Sequence, residues 1–114
     1  MEVLAHHIYE YKKGLRSLVL HTMRAECRDS AERKLSANRI HYIIQEVGGR
    51  NINVFFGDEQ CIRVIRTFVS KPLSRLSPEE DFILGTLLGY DKRQQCERYL
   101  KRKQTASSPL LRIA

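Results

Sequence analysis

The chain has 114 residues, of which 42% are hydrophobic, with a formal net charge of +7 and three cysteines. That length fits one domain able to bury roughly two-thirds of its unfolded surface, so no disulfide or metal staple is needed. Cys27, Cys61 and Cys96 form no CxxC pair and no apolar run approaches the ~20 residues of a membrane span, which argues against a disulfide framework and a spanning helix. The Met1 end shows no basic stretch followed by an apolar one, so a reduced, cytoplasmic protein is expected.

The same local order appears twice, over 4–37 and 40–69: two apolar, β-branched or aromatic runs joined by a glycine turn, then a short amphipathic helix. It predicts an α+β fold, ββαββα, with a four-stranded antiparallel sheet, helices mainly on one face and a C-terminal helical hairpin. In the first hairpin Lys12-Lys13-Gly14 makes a three-residue turn that pairs Tyr11 with Leu15, Glu10 with Arg16 and Ile8 with Leu18. His6, Ile8, Leu18 and Leu20 then share one face, and His7, Tyr9, Tyr11, Val19 and His21 the other. Asp29 and Glu32 have capping-box spacing for a helix that points Ala31 and Leu35 one way and ends at Asn38.

The second hairpin turns at Gly48-Gly49-Arg50-Asn51. A loop of two residues or of four gives the same parity, which groups Ile43, Gln45 and Val47 with Ile52, Val54 and Phe56 facing the helices. Tyr42, Ile44, Asn53 and Phe55 take the other face. Asp58 opens a helix whose core stripe is Cys61, Ile62, Ile65, Phe68 and Val69, stopped by Lys71-Pro72. Ser77-Pro78-Glu79-Glu80 is a strong helix start, with a hydroxyl cap, proline at the first position and a glutamate three residues on. This helix closes at Gly89, and Asp91 with Gln94 starts another through about Lys103 with Tyr90 at the corner. The last helix carries Cys96, Tyr99 and Leu100 as its apolar stripe. Residues 1–103 are expected to form one domain and 104–114 a tail whose Leu110, Leu111 and Ile113 offer an edge strand or a partner contact.

Charge is concentrated at the C-terminal end. Residues 91–114 hold seven basic and two acidic side chains, +5, against thirteen and eleven in the first 90 residues, +2. The sign favours an acidic partner, and Arg93, Arg98, Lys101 and Arg102, with Tyr90 at the corner, are the candidate partner-binding residues. Charge reversal at Arg98 and Arg102 is expected to weaken docking while leaving the melting temperature nearly unchanged.

Leu84-Gly85-Thr86-Leu87-Leu88-Gly89-Tyr90-Asp91, followed by Gln95-Cys96-Glu97-Arg98-Tyr99-Leu100 and taken with His6-His7, resembles the small bacterial family of unknown function DUF2023. The likeness covers residues 1 to about 103 and carries no site. It implies a redox protein of flavodoxin type as a possible acidic partner.

No other constellation reaches the threshold of a site. His7, His21 and the neighbouring Tyr9 bring two imidazoles to one hairpin face, short of the three or four ligands zinc requires. Cys61 and Cys96 sit on apolar stripes, where thiols are usually inert, and Cys27 beside Arg28 is the one thiol in an electropositive setting. Gly48-Gly49-Arg50-Asn51 reads as a hairpin turn, since no helix start follows to cradle a phosphate. The P-loop, the dinucleotide fingerprint and the nucleophile elbow are all missing, so no catalytic residue, metal or cofactor is assigned and a non-enzymatic module is expected. The rival reading is RNA or DNA binding, with Tyr9, Tyr11, Tyr42 and Phe55 as a stacking sheet and the basic helix on phosphates. Self-association through an open sheet edge is compatible with the docking module.

Overall fold

Leu4, Ile8 and Tyr11 recur at helical spacing, and this period decides the N-terminal segment. In the computed structural model, which describes residues 1–106, Glu2–Lys12 is helix α1 and not the first strand of a hairpin. A helix puts these three side chains on one face, whereas a strand would send Tyr11 away from Leu4 and Ile8. Leu4 and Ile8 are buried and Tyr11 packs beside them. Gly14, read above as a hairpin residue, is instead the left-handed end of α1 with φ +79°. Its N–H donates to Tyr11 O at 2.9 Å and that of Leu15 to Glu10 O at 3.1 Å, the paired bonds of a Schellman motif.

The sheet therefore has three strands where four were predicted: β1 (Leu18–Arg24), β2 (His41–Glu46) and β3 (Asn51–Gly57). Their spatial order is β1-β3-β2, antiparallel throughout, with β3 in the centre. The β2–β3 pairing also departs from expectation. Ile43 faces Phe55 and Gln45 faces Asn53, and Val47 N–H reaches Asn51 O, so the loop is the three residues Gly48-Gly49-Arg50. Two consecutive glycines at φ +83° and +60° permit that length. Because side chains alternate with period two, the one-residue change inverts the predicted faces. Tyr42, Ile44, Ile52, Val54 and Phe56 share one side; Ile43, Gln45, Asn53 and Phe55 share the other.

Helices cover both sides, not mainly one. α1 and α2 (Arg28–Ala37) bring Leu4, Ile8, Ala31 and Leu35 against Val19, Val54 and Phe56. On the opposite side α3 (Glu59–Arg66), the turn after it and α4 (Pro78–Leu87) bring Ile62, Ile65, Phe68 and Leu84 against Leu18 and Phe55. β3 is buried from Ile52 through Gly57, which accounts for its near-continuous apolar run in place of clean alternation. One polar row crosses this interior. Thr22 donates to Asn53 at 2.6 Å, Asn53 to Gln45 at 2.9 Å, and Gln45 to the Val69 and Lys71 carbonyls at 2.9 and 3.0 Å. Among the described residues every buried side-chain nitrogen and oxygen has a partner, as desolvation requires.

Two caps differ from their expected form. A 3-10 turn at Ala25–Cys27 precedes α2, so Asp29 falls inside the first helical turn and makes no capping box. Asp58 does precede α3, but its carboxylate accepts from Tyr11 OH at 2.8 Å and not from the helix. Burial first, and this bond second, push the Tyr11 phenol up to about 12.

Candidate docking site on the helical hairpin

The cap predicted for α4 forms in full. Ser77 Oγ accepts from Glu80 N–H at 3.1 Å, and Glu80 Oε1 accepts from Ser77 N–H at 2.9 Å and from Lys71. Lys71, ahead of the cap, holds the Glu80 carboxyl below its usual range. Leu84 and Leu88 anchor α4 to the Phe55 side of the sheet. Gly89 ends the helix at φ +83°, and Asp91 Oδ2 accepts from Gln94 N–H at 3.0 Å to start α5 (Lys92–Ala106). Gly85 leaves room for the end of the Gln95 side chain, whose Oε1 would stand 2.0 Å from a Cβ there.

Charge then closes the hairpin, with the acidic first turn of α4 lying beside the cationic end of α5. Arg98 forks onto Asp81 with bonds of 2.7 and 3.1 Å. Arg102 stands 3.5 Å from the same carboxylate and donates to Leu76 O at 3.0 Å. Glu79 Oε2 receives Tyr99 OH at 2.8 Å and Lys103 Nζ at 3.0 Å. Phe82 meets the Tyr99 ring edge-on, 5.6 Å between centroids. Of the predicted partner-binding residues, Arg98 and Arg102 thus hold α5 onto α4. Arg93 and Lys101 are exposed, with no ion pair shown among the described residues, and Tyr90 is exposed at the corner.

Reversing Arg98 and Arg102 should accordingly lower stability, contrary to the expectation from sequence. A cleaner probe is Asp81→Asn, which is expected to cost about 1–2 kcal/mol, a value held down because Arg98 is 56% exposed. The Arg98 bonds, then Arg102, hold the Asp81 carboxyl below its ordinary range against the opposing effect of burial. A depressed carboxyl stabilises above its unfolded pKa of about 4 and loses that contribution as pH falls through the folded value. Thermal melts should show the gap between wild type and D81N closing as pH is lowered from 7 to about 3; a gap independent of pH would refute the assignment.

Two grooves flank α5. One, of about 720 Å³, is lined by Pro78, Gln94, Gln95, Arg98, Lys101 and Arg102, so that three cationic side chains edge it. The other, of about 450 Å³, is lined by Phe82, Ile83, Cys96, Tyr99 and Leu100, with Glu79 at its rim. Cys96, expected on an inward apolar stripe, is exposed in this second groove, and Leu100 is 59% exposed. The sequence does carry a signal for it. In α4, Leu84 turns inward while Phe82 and Ile83 face out, and a helix apolar on two sides has two packing surfaces.

The other predicted constellations assemble differently. His7 on α1 and His21 on β1 do meet, 5.2 Å between ring centroids, with Glu10 Oε1 and Arg16 Nη1 at 3.3 and 3.4 Å from His7 Nδ1. Burial, and then His7, lower the His21 pKa. Among the described residues no cluster of three or more His, Cys, Asp or Glu side chains could hold a metal. The four aromatics of the predicted stacking face are separated. Tyr9 and Tyr11 belong to α1, Phe55 is fully buried in one core and Tyr42 packs on the other. Cys61 is half-buried, its thiol pushed up by burial and Asp58, and Cys27 stands half-buried just before α2.

This arrangement defines a small α/β/α protein, two helical layers around a three-stranded antiparallel sheet, whose surface chemistry is gathered on a charged helical hairpin. The sequence profile of the family described as Protein of unknown function (DUF2023) matches residues 2–102, and the chain belongs to that family. Comparison with curated proteins gives no match. The helix α5 extends to Ala106, taking in 104–106 of the segment predicted as tail; Leu110, Leu111 and Ile113 lie outside the described residues. No helix among the described residues is long and apolar enough to cross a membrane.

Proposed function

We propose that this protein is a small non-enzymatic accessory module of the cytoplasm that docks an acidic protein along the cationic groove of α5. The groove itself is the observation that carries the reading: Arg98, Lys101 and Arg102 converge on one side of α5 with the Gln94 and Gln95 amides beside them. Asp81 fixes two of those guanidinium groups in place, so a carboxylate-bearing partner meets donors that lose little side-chain freedom on binding. Three cysteines outside any disulfide accord with a reducing compartment. The family resemblance makes a flavodoxin-type redox protein the first partner to try.

The test is an NMR titration of the isotope-labelled chain with an acidic flavodoxin, repeated with the double variant Arg93→Glu, Lys101→Glu. These two side chains carry no fold-holding ion pair, so affinity should fall at least about tenfold, more steeply at low salt, with the melting temperature unchanged. Absence of any shift would overturn the flavodoxin partner, and unchanged affinity in the variant would move the contact off α5. Nucleic acid is the second reading, supported by the same cations and not by an aromatic platform. Retention of mixed-sequence RNA at low salt, abolished by the double variant, would favour it instead.

A further inference from the structure

We infer that His6, His7, Glu10, Arg16 and His21 form a proton-operated latch, which holds α1 on β1 at neutral pH and loosens it in acid. The cluster lies where α1 meets the edge strand, with His7 and His21 standing 5.2 Å apart between ring centroids. His7 Nδ1 is 3.4 Å from Arg16 Nη1 and 3.3 Å from Glu10 Oε1. A guanidinium only donates and an ionised carboxylate only accepts, so that nitrogen cannot bond both at once. A neutral ring with its proton on Nε2 accepts from Arg16, a bond that ties α1 to the residues entering β1. Charging the ring puts a proton on Nδ1, which bonds Glu10 within α1 and leaves Arg16 facing a like charge.

The remaining charges act in the same direction. Glu10 is the one carboxylate of the cluster and already stands 3.8 Å from both Arg16 and His6. His21 is flanked across the register by Val54, and the charged groups that act on it are His7 and the amino group of Met1. Burial first, then those two, lower the His21 pKa, so charging it costs stability as pH falls below the ~6.5 of a free imidazole. The C-terminal end of α1 is pinned separately, by Tyr11 OH to Asp58 and by Lys12 to Asn38, each at 2.8 Å. Loosening therefore belongs to residues 2–10, whose lifting uncovers Leu4, Ile8, Val19 and Val54. α1 lies across the sheet from α4, so the latch does not rest on the docking reading.

Native-state hydrogen exchange on the full chain, corrected for intrinsic rates, should show the opening of α1 amides rise about tenfold relative to those of α3 between about pH 7.5 and 5.5, the range over which imidazoles charge. His7→Gln combined with His21→Gln should remove most of that rise. Glu10→Gln, which takes away the one anion of the cluster, should enlarge it. An α1 opening independent of pH in the wild type overturns the inference, and that measurement needs no variant to fold. So does a rise shared equally by α3, which would report unfolding of the whole domain. An acid response undiminished in the double variant would assign it to carboxylates elsewhere and overturn the latch too.

Discussion

Gly57→Ala is expected to cost at least about 4 kcal/mol and to lower the melting temperature by roughly 15–20 °C. Gly57 closes β3 at φ +154°, where a Cβ would lie 2.1 Å from the Ser17 carbonyl oxygen and 2.9 Å from Leu18 Cα. Both obstacles are backbone, so no rotamer change relieves the clash. The same Ser17 oxygen accepts from Asp58 N–H at 2.9 Å, and Gly57 is flanked in register by Leu18 on one side and His41 on the other. A methyl group must therefore push β1 off the central strand at the point where their ladder begins. Gly48→Ala is the control: its Cβ would meet nothing within 4 Å, and only the positive φ is penalised, by about 1 kcal/mol. Equal urea midpoints for the two variants would refute the close approach.

Phe55→Ala should be nearly as damaging, at about 3–5 kcal/mol. The ring is fully buried among Ile62, Ile65, Phe68 and Leu84, so its loss opens a cavity under α3 and α4. A penalty of that size is a large share of the stability of a domain this small. Its neighbour Phe56 is equally buried but points the other way, edge-on to Tyr11 with 6.2 Å between centroids. Amide hydrogen exchange separates the two cores. Phe55→Ala should speed exchange first in α3 and α4, and Phe56→Ala first in α1 and α2; identical profiles would mean the layers open as one unit.

Much of the hairpin was legible because its signals are local. Ser77, Pro78 and Glu80 specify a cap within four residues, and Gly89 and Asp91 mark the corner just as closely. The sheet was harder because two features hide its period. In α1 the apolar triplet Leu4, Ile8 and Tyr11 is interleaved with His7 and Tyr9, so helix and strand patterns both fit until burial chooses between them. In the β2–β3 loop a single residue of length decides every face, and a Gly-Gly pair permits two, three or four residues alike. Site residues failed for a third reason. Arg98 and Arg102 look like surface charge in sequence, and only the antiparallel return of α5 shows Asp81, 17 residues earlier, as the partner of Arg98.

The placement of β3 between β1 and β2 also sets an order of events as the chain is made. β2 and β3 are joined by three loop residues, whereas pairing β1 with β3 spans 27 residues from Arg24 to Asn51 and 39 from Leu18 to Gly57. Local hairpins close in microseconds, while contacts so distant in sequence must first offset the entropy of closing a long loop. On the ribosome, α1, β1 and α2 all emerge before the strand that unites them exists. A nascent chain ending short of Asn51 lacks the strand that β1 pairs with, so the N-terminal half waits until Gly57 has cleared the exit tunnel, and the second core waits longer still, for α3 and α4 to bring Ile62 through Leu88 onto Phe55.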